Sequence, residues 1–246
     1  MGRMRIPAAS VILAAAGRGE RLGARVPKAL VPLAGRPMFE HSVETFASLP
    51  FVREIVLVVP PGWRARVERL WGARLRRRKV TRIVAGGRRR QDSVRAGLAA
   101  AACPLVLVHD AARPLVSRAA ARAVARAAAR HGAAVLAAPA VDTVKIADRR
   151  RRVVATPERA RVWHAQTPQG FRREVLAAAY RAAGRADATD DAQLVERAGG
   201  RVLVVPTKEP NFKVTAPDDL RRAEALLARR GIRRASKSPN FEDGKP

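Results

Sequence analysis

A glycine-rich stretch near the start of the chain combines residue types that can bind polyphosphate. Residues 11–28 read VILAAAGRGERLGARVPK: a short apolar run, then small residues, then Arg21 and Lys28. A buried strand that opens into a loop of small residues leaves backbone N–H groups facing a ligand, because no Cβ blocks the approach. The two cations would neutralise the phosphate charge gathered there. We therefore expect a phosphate-binding loop in this stretch.

Neither standard nucleotide-binding motif fits this loop. Gly17, Gly19 and Gly23 are spaced G-x-G-x-x-x-G, one residue away from the dinucleotide fingerprint, and no G-K-[ST] follows to make a P-loop. A glycine turn after a strand is also common as a plain connection between two elements. The side chains of Arg21 and Lys28 favour phosphate binding, because a plain turn has no use for them.

Further polar residues follow other predicted strands. Gly86 and Gly87 come after the third strand, Asp110 and Arg113 after the fourth, and Lys213 after the last. In open α/β sheets, ligands bind beyond the carboxyl ends of the strands. An aspartate beside a phosphate loop would also suit Mg²⁺, which takes one or two carboxylates together with phosphate oxygens. We therefore predict one site at this edge, with Asp110 as its candidate magnesium ligand.

Several of these residues have a simpler interpretation. The glycine pair followed by Ser93 would make a turn and a helix entry as readily as backbone contacts to a base. Asp110 could bond to neighbouring backbone or pair with Arg113, and Thr189 and Asp190 suit the start of a helix. The sequence leaves these alternatives open.

An alternation of strands and helices must position these residues. Apolar runs predict strands over residues 11–16, 54–59, 80–85, 105–108, 133–138 and 202–205. Spacing and caps predict helices over residues 36–49, 63–74, 91–102, 117–131, 172–183 and 217–229, with another opened by residues 189–191. Because the links are short, we predict an α/β fold with a mostly parallel, doubly wound sheet and right-handed crossovers.

Residues 141–162 interrupt this alternation. The runs VDTVKI and RRVVAT, joined by a polar turn, predict a protruding β-hairpin arm with no helix between its strands. Because an isolated two-stranded ribbon is marginal in water, we expect the arm to pack on a second copy of the chain. Lys145 and Arg159, which lie on this arm, could otherwise be ordinary exposed cations.

Composition and charge narrow the classes of function. The chain has 246 residues and a formal net charge of +28, but the excess is mostly arginine scattered through alanine-rich helices. This pattern indicates solvated helix faces, so we expect no nucleic-acid partner. No apolar run approaches the roughly 20 residues of a membrane span, and the single Cys103 fits a reducing cytoplasm. We expect no membrane partner, one domain over residues 1–230 and a disordered tail over residues 231–246.

Taken together and in order, the motifs resemble those of a known enzyme family. AAGRGERLG with PK, GGRRRQDSV, VHDAARP, DTVK, TPER to WHAQTPQ, ATDDA and NFKVT are similar to the motifs of the 2-C-methyl-D-erythritol 4-phosphate cytidylyltransferases, over roughly residues 10–227. The resemblance implies a nucleotide-diphospho-sugar-transferase-like fold and a homodimer formed through the arm. It implies transfer of a cytidylyl group from CTP to methylerythritol phosphate, with Mg²⁺ and release of pyrophosphate, in non-mevalonate isoprenoid synthesis.

The same resemblance assigns roles to individual residues. Nucleotide binding would fall to Ala15, Ala16, Gly17, Gly87, Ser93 and Ala111. The catalytic cations would be Arg21, Lys28 and Lys213. The sugar phosphate would be bound by Asp110, Arg113 and Thr189, joined by Thr143 and Arg159 from the arm of a partner subunit.

Two other functions stay open at this point. A cytidylyltransferase for another polyol phosphate, such as ribitol 5-phosphate, needs the same phosphate clamp and hydroxyl contacts. A basic nucleic-acid-binding protein could share the fold without turnover, and its binding would weaken steeply with salt.

Overall fold

The computed structural model describes residues 5–17, 19, 22–23, 26–184 and 186–232. Its strands are β1 Ala9–Ala14, β2 Pro32–Leu33, β3 Arg36–Pro37, β4 Val52–Val59, β5 Val80–Ala85, β6 Leu105–Asp110, β7 Ala133–Pro139, β8 Ile146–Ala147, β9 Val153–Ala155, β10 Trp163–Arg172 and β11 Leu203–Pro206. Its α-helices are α1 Met38–Ala47, α2 Arg64–Arg76, α3 Arg90–Ala100, α4 Arg118–His131, α5 Arg173–Ala183, α6 Asp191–Arg197 and α7 Pro217–Arg229.

A seven-stranded sheet in the order β11-β7-β10-β6-β1-β4-β5 forms the centre of the fold. Strand β1 pairs in parallel with both β4 and β6, and all its residues except Ser10 are apolar because helices cover both faces. Val11 and Leu13 pack into the core on one face, whereas Ile12 packs into the core on the other. This alternation confirms the predicted doubly wound, mostly parallel sheet.

Strand β10, which was not predicted from the sequence, lies antiparallel between β6 and β7. Its sequence WHAQTPQGFR contains a proline and several polar residues, so it lacks the apolar run that predicts a central strand. Gly170 lets this strand approach α4 closely, since a Cβ there would lie 2.9 Å from the side chains of Val124 and Ala128. The register shifts between Ala165 and Gln169, where the polar TPQ segment interrupts the pairing with β7.

The boundaries of other elements differ by a few residues from those predicted. Strand β1 begins and ends two residues early, so Ala15 and Ala16 lie in the loop that follows it. Ser117 caps α4 by accepting a hydrogen bond from the N–H of Ala120, and Gly132 ends this helix with a φ of +91°. Asp190 caps α6 in the same way through the N–H of Gln193, as one of the alternatives proposed.

The hairpin arm is present, but its paired strands are shorter than the apolar runs suggested. Strands β8 and β9 pair antiparallel, and the carboxylate of Asp148 closes their turn by accepting from the N–H groups of Arg150 and Arg152. Val141 is 78% exposed and Val154 61% exposed in this single chain. The arm therefore presents apolar side chains with no core of its own.

Two expectations from the sequence concern a disordered C-terminal tail and the absence of a membrane partner. Residues 233–246, which make up almost all of the predicted tail, lie outside the described residues. Within the ranges given above, no helix combines the length and the apolar character needed to cross a bilayer.

Two buried histidines, His41 on α1 and His109 on β6, are held neutral by the fold. A ring nitrogen of His41 bonds to the carbonyl of Leu33 at 2.9 Å, and His109 contacts the carbonyl of Arg113 at 3.1 Å. Burial lowers the pKa of each histidine to about 4. His109, which we had interpreted as structural, also contacts Thr167 Oγ1 at 3.0 Å.

These histidines predict a pH dependence of stability. Between pH 6.5 and 4 the unfolded chain binds more protons than the folded chain, so the free energy of unfolding rises with pH through this window. We expect a loss of about 2 kcal/mol per buried histidine between pH 7 and pH 5, measured by denaturant unfolding. The variant His164→Gln, which alters an exposed histidine, is the control and should keep this slope. A flat stability profile over this range would contradict the burial of two neutral imidazoles.

Candidate active site

A cavity of about 600 Å³ opens at the carboxyl edge of the sheet. Of the site residues proposed above, Ala15, Ala16, Gly17, Lys28, Gly87, Ser93, Asp110 and Lys213 line it. They come from the loop after β1, from the turn after β5 and the first turn of α3, from the end of β6, and from the segment between β11 and α7. The edge rule for α/β sheets therefore brings most of the predicted residues to one place.

The loop after β1 folds back so that Lys28 lies against it. The N–H of Lys28 donates to the carbonyl of Gly17 at 3.2 Å. Gly19 has a φ of +77°, and a Cβ on it would lie 2.6 Å from the Cβ of Lys28, so only glycine fits there. Arg21, the other predicted cation of this loop, lies outside the described residues.

The loop after β5 packs closely on the first loop. A Cβ on Gly86 would lie 2.6 Å from the Cβ of Ala16 and 2.7 Å from Ser93 Oγ. The N–H of Gly87 donates to Ser93 Oγ at 3.1 Å. The glycine pair thus makes a turn and a helix entry, as one alternative held, and this turn also forms part of the cavity wall.

Asp110 lies between two cations. Its Oδ1 accepts from Arg90 Nε at 3.0 Å, and its Oδ2 accepts from Lys213 Nζ at 2.8 Å. Burial alone would raise the pKa of Asp110, but Arg90 and Lys213 hold it well below its ordinary value. Asp110 is therefore ionised throughout the physiological range, and Lys213, which is 103 residues away in sequence, lies directly beside it.

Arg90 belongs to the site although no role was predicted for it from the sequence. Arg88, Arg89 and Arg90 all line the cavity, as do Pro60 and Pro61 after β4. The signal for the arginines was available, because they follow the glycine pair at the carboxyl end of a strand. The motif GGRRRQDSV contains these arginines, but no role was predicted for them.

Arg113 and Ala111 lie next to Asp110 but do not line the cavity. Nη1 of Arg113 donates to the carbonyl of Asn211 at 2.8 Å, so the suggested ion pair of Arg113 with Asp110 is replaced by the pairs with Arg90 and Lys213. Ala111 is fully buried, and its N–H donates to the carbonyl of Ala14 at 3.0 Å.

Three predicted substrate residues do not line the cavity of their own chain. Thr143 and Arg159 are exposed on the arm, where Nη1 of Arg159 donates to the carbonyl of Val141 at 3.2 Å. Thr189 is exposed before α6, and its N–H donates to the side-chain oxygen of Gln193 at 3.0 Å. In a single chain these three residues therefore form no part of the cavity wall.

A mostly parallel α/β sheet with glycine-rich loops and converging cations at its carboxyl edge defines a nucleotidyltransferase-like protein. Residues 9–229 match the family model IspD: 2-C-methyl-D-erythritol 4-phosphate cytidylyltransferase. The chain belongs to this family, so the resemblance noted in the sequence is confirmed. It is an enzyme of the nucleotidyltransferase class.

Individual relatives agree with the family match. The chain is 53% identical to a bifunctional enzyme IspD/IspF of Anaeromyxobacter dehalogenans over 88% of its own length, and spans 56% of that relative. It is 46% identical to the 2-C-methyl-D-erythritol 4-phosphate cytidylyltransferase of Streptomyces avermitilis, over 91% of this chain and 93% of the relative.

A solved structure supports the fold. The crystal structure of the 2-C-methyl-D-erythritol 4-phosphate cytidylyltransferase from Thermus thermophilus superposes with a TM-score of 0.74 at 36% identity, covering 90% of this chain and 99% of that one. The comparisons favour methylerythritol phosphate over the two alternatives, another polyol phosphate and a nucleic-acid-binding protein.

Proposed function

We propose that the cavity binds CTP and transfers its cytidylyl group to 2-C-methyl-D-erythritol 4-phosphate, with release of pyrophosphate. The observation that carries this proposal is the convergence of Lys28, Arg90 and Lys213, from distant parts of the chain, on one cavity lined by small residues. Loops of glycine and alanine leave room for a nucleotide to approach the backbone. The cations supply the charge that a triphosphate requires.

The chemistry needs no nucleophile from the protein. An oxygen of the phosphate monoester is already anionic near neutral pH, so it attacks the α-phosphorus of CTP while the bond to pyrophosphate breaks. Two polyanions repel each other, and the protein must hold them in line and stabilise the transition-state charge. We assign this task to Lys28 and Lys213, which line the cavity, and to Arg21, which follows Gly19 in the sequence.

The site can also hold magnesium through Asp110. This carboxylate is ionised and lines the cavity, and Mg²⁺ needs only one or two carboxylates when phosphate oxygens complete its coordination. In the described part of the chain, no cluster of three His, Cys, Asp or Glu side chains forms a closed metal site. Mg²⁺ held by Asp110 and the triphosphate would supply charge neutralisation at the reacting phosphates.

We infer that the chain acts as a homodimer through its arm. The apolar side chains of Val141, Val153 and Val154 are exposed there, and a short ribbon without a core needs a partner to be stable. In a symmetric dimer each arm would bring Thr143 and Arg159 to the other subunit's sugar-phosphate site. The single Cys103 is consistent with a cytoplasmic enzyme.

A mixing experiment tests the shared site. Arg159→Ala should weaken sugar-phosphate binding and spare CTP binding, because the arm carries no residue of the nucleotide cavity. Mixing this variant with Lys213→Ala should restore part of the activity, since heterodimers then contain one intact composite site. Arg161→Ala, in the same short turn, is the control and should behave like the wild type. No recovery after confirmed subunit exchange would show that each arm serves its own chain.

Turnover assays test the substrate. Pyrophosphate release from CTP should be fast with methylerythritol phosphate and slow with ribitol 5-phosphate. Faster turnover of ribitol 5-phosphate would overturn the substrate assignment. Salt-sensitive nucleic-acid binding together with no pyrophosphate release would instead support the non-enzymatic alternative.

A further inference from the structure

A row of charged and polar contacts runs from Lys213 into the interior of the protein. Lys213 pairs with Asp110, Arg90 Nε donates to the other oxygen of Asp110, and Arg90 Nη1 donates to Asp191 Oδ2 at 2.8 Å. Tyr180 then donates its hydroxyl to Asp191 Oδ1 at 2.6 Å. The guanidinium of Arg90 thus bridges the carboxylate in the cavity and a carboxylate behind it.

The far end of this row is fixed to the sheet. The side chain of Asp191 is 1% exposed, and Tyr180 is 5% exposed. The side-chain oxygen of Gln169, on β10, accepts from the N–H groups of Asp191 and Ala192, both at 3.1 Å. Asp191 therefore has a position set by the sheet, independent of any ligand.

Asp191 and Tyr180 do not line the cavity, whereas Arg90, Asp110 and Lys213 do. A bound nucleotide would reach the last three residues and not the first two. Burial and the neighbouring Asp191 raise the pKa of Tyr180, so its hydroxyl remains a hydrogen-bond donor. Any influence of the pair on the reaction must then pass through Arg90.

We propose that Asp191 and Tyr180 are positioning residues that hold Arg90, and through it Asp110 and Lys213, in the geometry needed to bind the reacting phosphates. This inference rests on the proposed cytidylyl transfer. Without the charge of Asp191, we expect Nε and Nη1 of Arg90 both to donate to Asp110. The oxygens of Asp110 are then shared unevenly between Arg90 and Lys213. The cavity at the same time loses a nearby negative charge.

These two consequences predict different effects on kcat and on KM for CTP. For Asp191→Asn we expect kcat to fall roughly tenfold, the scale of a hydrogen bond to a charged group, with no rise in KM for CTP. Tyr180→Phe keeps the ring and removes one donor, so we expect a smaller fall in kcat, about threefold. Rates are normalised to the number of CTP-binding sites found by titration calorimetry, so that unfolded protein does not count as lost activity.

A double variant distinguishes positioning from a merely structural role. If Asp191 acts through Lys213, Asp191→Asn should add little to the loss already caused by Lys213→Ala. The control Asp218→Asn breaks an exposed ion pair with Arg221 on α7, neither of which lines the cavity, and should leave kcat unchanged.

Each remaining outcome has a clear meaning. The positioning inference would be overturned if the losses in kcat from Asp191→Asn and Lys213→Ala multiplied in full in the double variant. It would also be overturned if Asp191→Asn and Tyr180→Phe both kept the wild-type kcat per site while Lys213→Ala remained slow. Normal turnover of Lys213→Ala would instead remove Lys213 from the catalytic group, and a wild-type protein that releases no pyrophosphate from CTP and methylerythritol phosphate would contradict the proposed function itself. If Asp191→Asn does not fold, Tyr180→Phe alone and combined with Lys213→Ala decides the question.

Discussion

Lys213→Ala should lower kcat for CDP-alcohol synthesis by about 10²-fold or more, the scale seen when one preorganised donor to a developing charge is removed. Lys213 lines the cavity, and its ammonium group lies 2.8 Å from Asp110. Its side chain is 41% exposed, so its removal takes little from the core. Pyrophosphate release at saturating CTP and sugar phosphate measures the effect.

Lys208→Ala is the matched control for this variant. Lys208 is an exposed lysine between β11 and α7, the same segment that carries Lys213, so both variants lose one positive charge. We expect Lys208→Ala to retain wild-type kcat, because Lys208 does not line the cavity. Wild-type activity in both variants would remove Lys213 from the catalytic group. An equal loss in both would show that only overall charge matters.

Asp110→Asn should have the second large effect, a loss of about 10²-fold in kcat/KM for the sugar phosphate, since two charge-assisted hydrogen bonds are weakened. Asparagine keeps the shape of the side chain, but it is neutral and cannot balance the positive charges of Arg90 and Lys213. In the absence of Mg²⁺ the affinity for CTP should not fall, because the cavity becomes more positive. Calorimetry with CTP and steady-state kinetics with the sugar phosphate separate these results.

The magnesium dependence of Asp110→Asn tests the second role given to this carboxylate. If Asp110 holds Mg²⁺ beside the triphosphate, the variant should need a higher Mg²⁺ concentration for half-maximal activity. Asp187→Asn, which removes an exposed carboxylate that pairs with Arg89, should keep the wild-type requirement. An unchanged requirement in Asp110→Asn would leave Asp110 as a partner of the cations and not of the metal.

Local sequence was enough to predict most of the fold. Apolar runs predicted six strands of the sheet because buried parallel strands are apolar on both faces. Helix α7 was predicted with its observed bounds, since Pro217 at its start and the acidic first turn mark its beginning. Strand β10 was missed because a strand of mixed polarity, such as the segment containing Gln166 and Thr167, gives no such signal.

For the candidate site, the sequence determined the chemistry and the family, and the tertiary structure decided the partners. The small residues of the loops, such as Gly17 and Gly87, and the order of the motifs are local features that can be read from the chain itself. The pairs of Asp110 with Arg90 and Lys213 join residues 20 and 103 positions apart. Such pairs exist only because the order of strands brings separate loops to one edge, and strand order is a property of the packed sheet that no local pattern encodes.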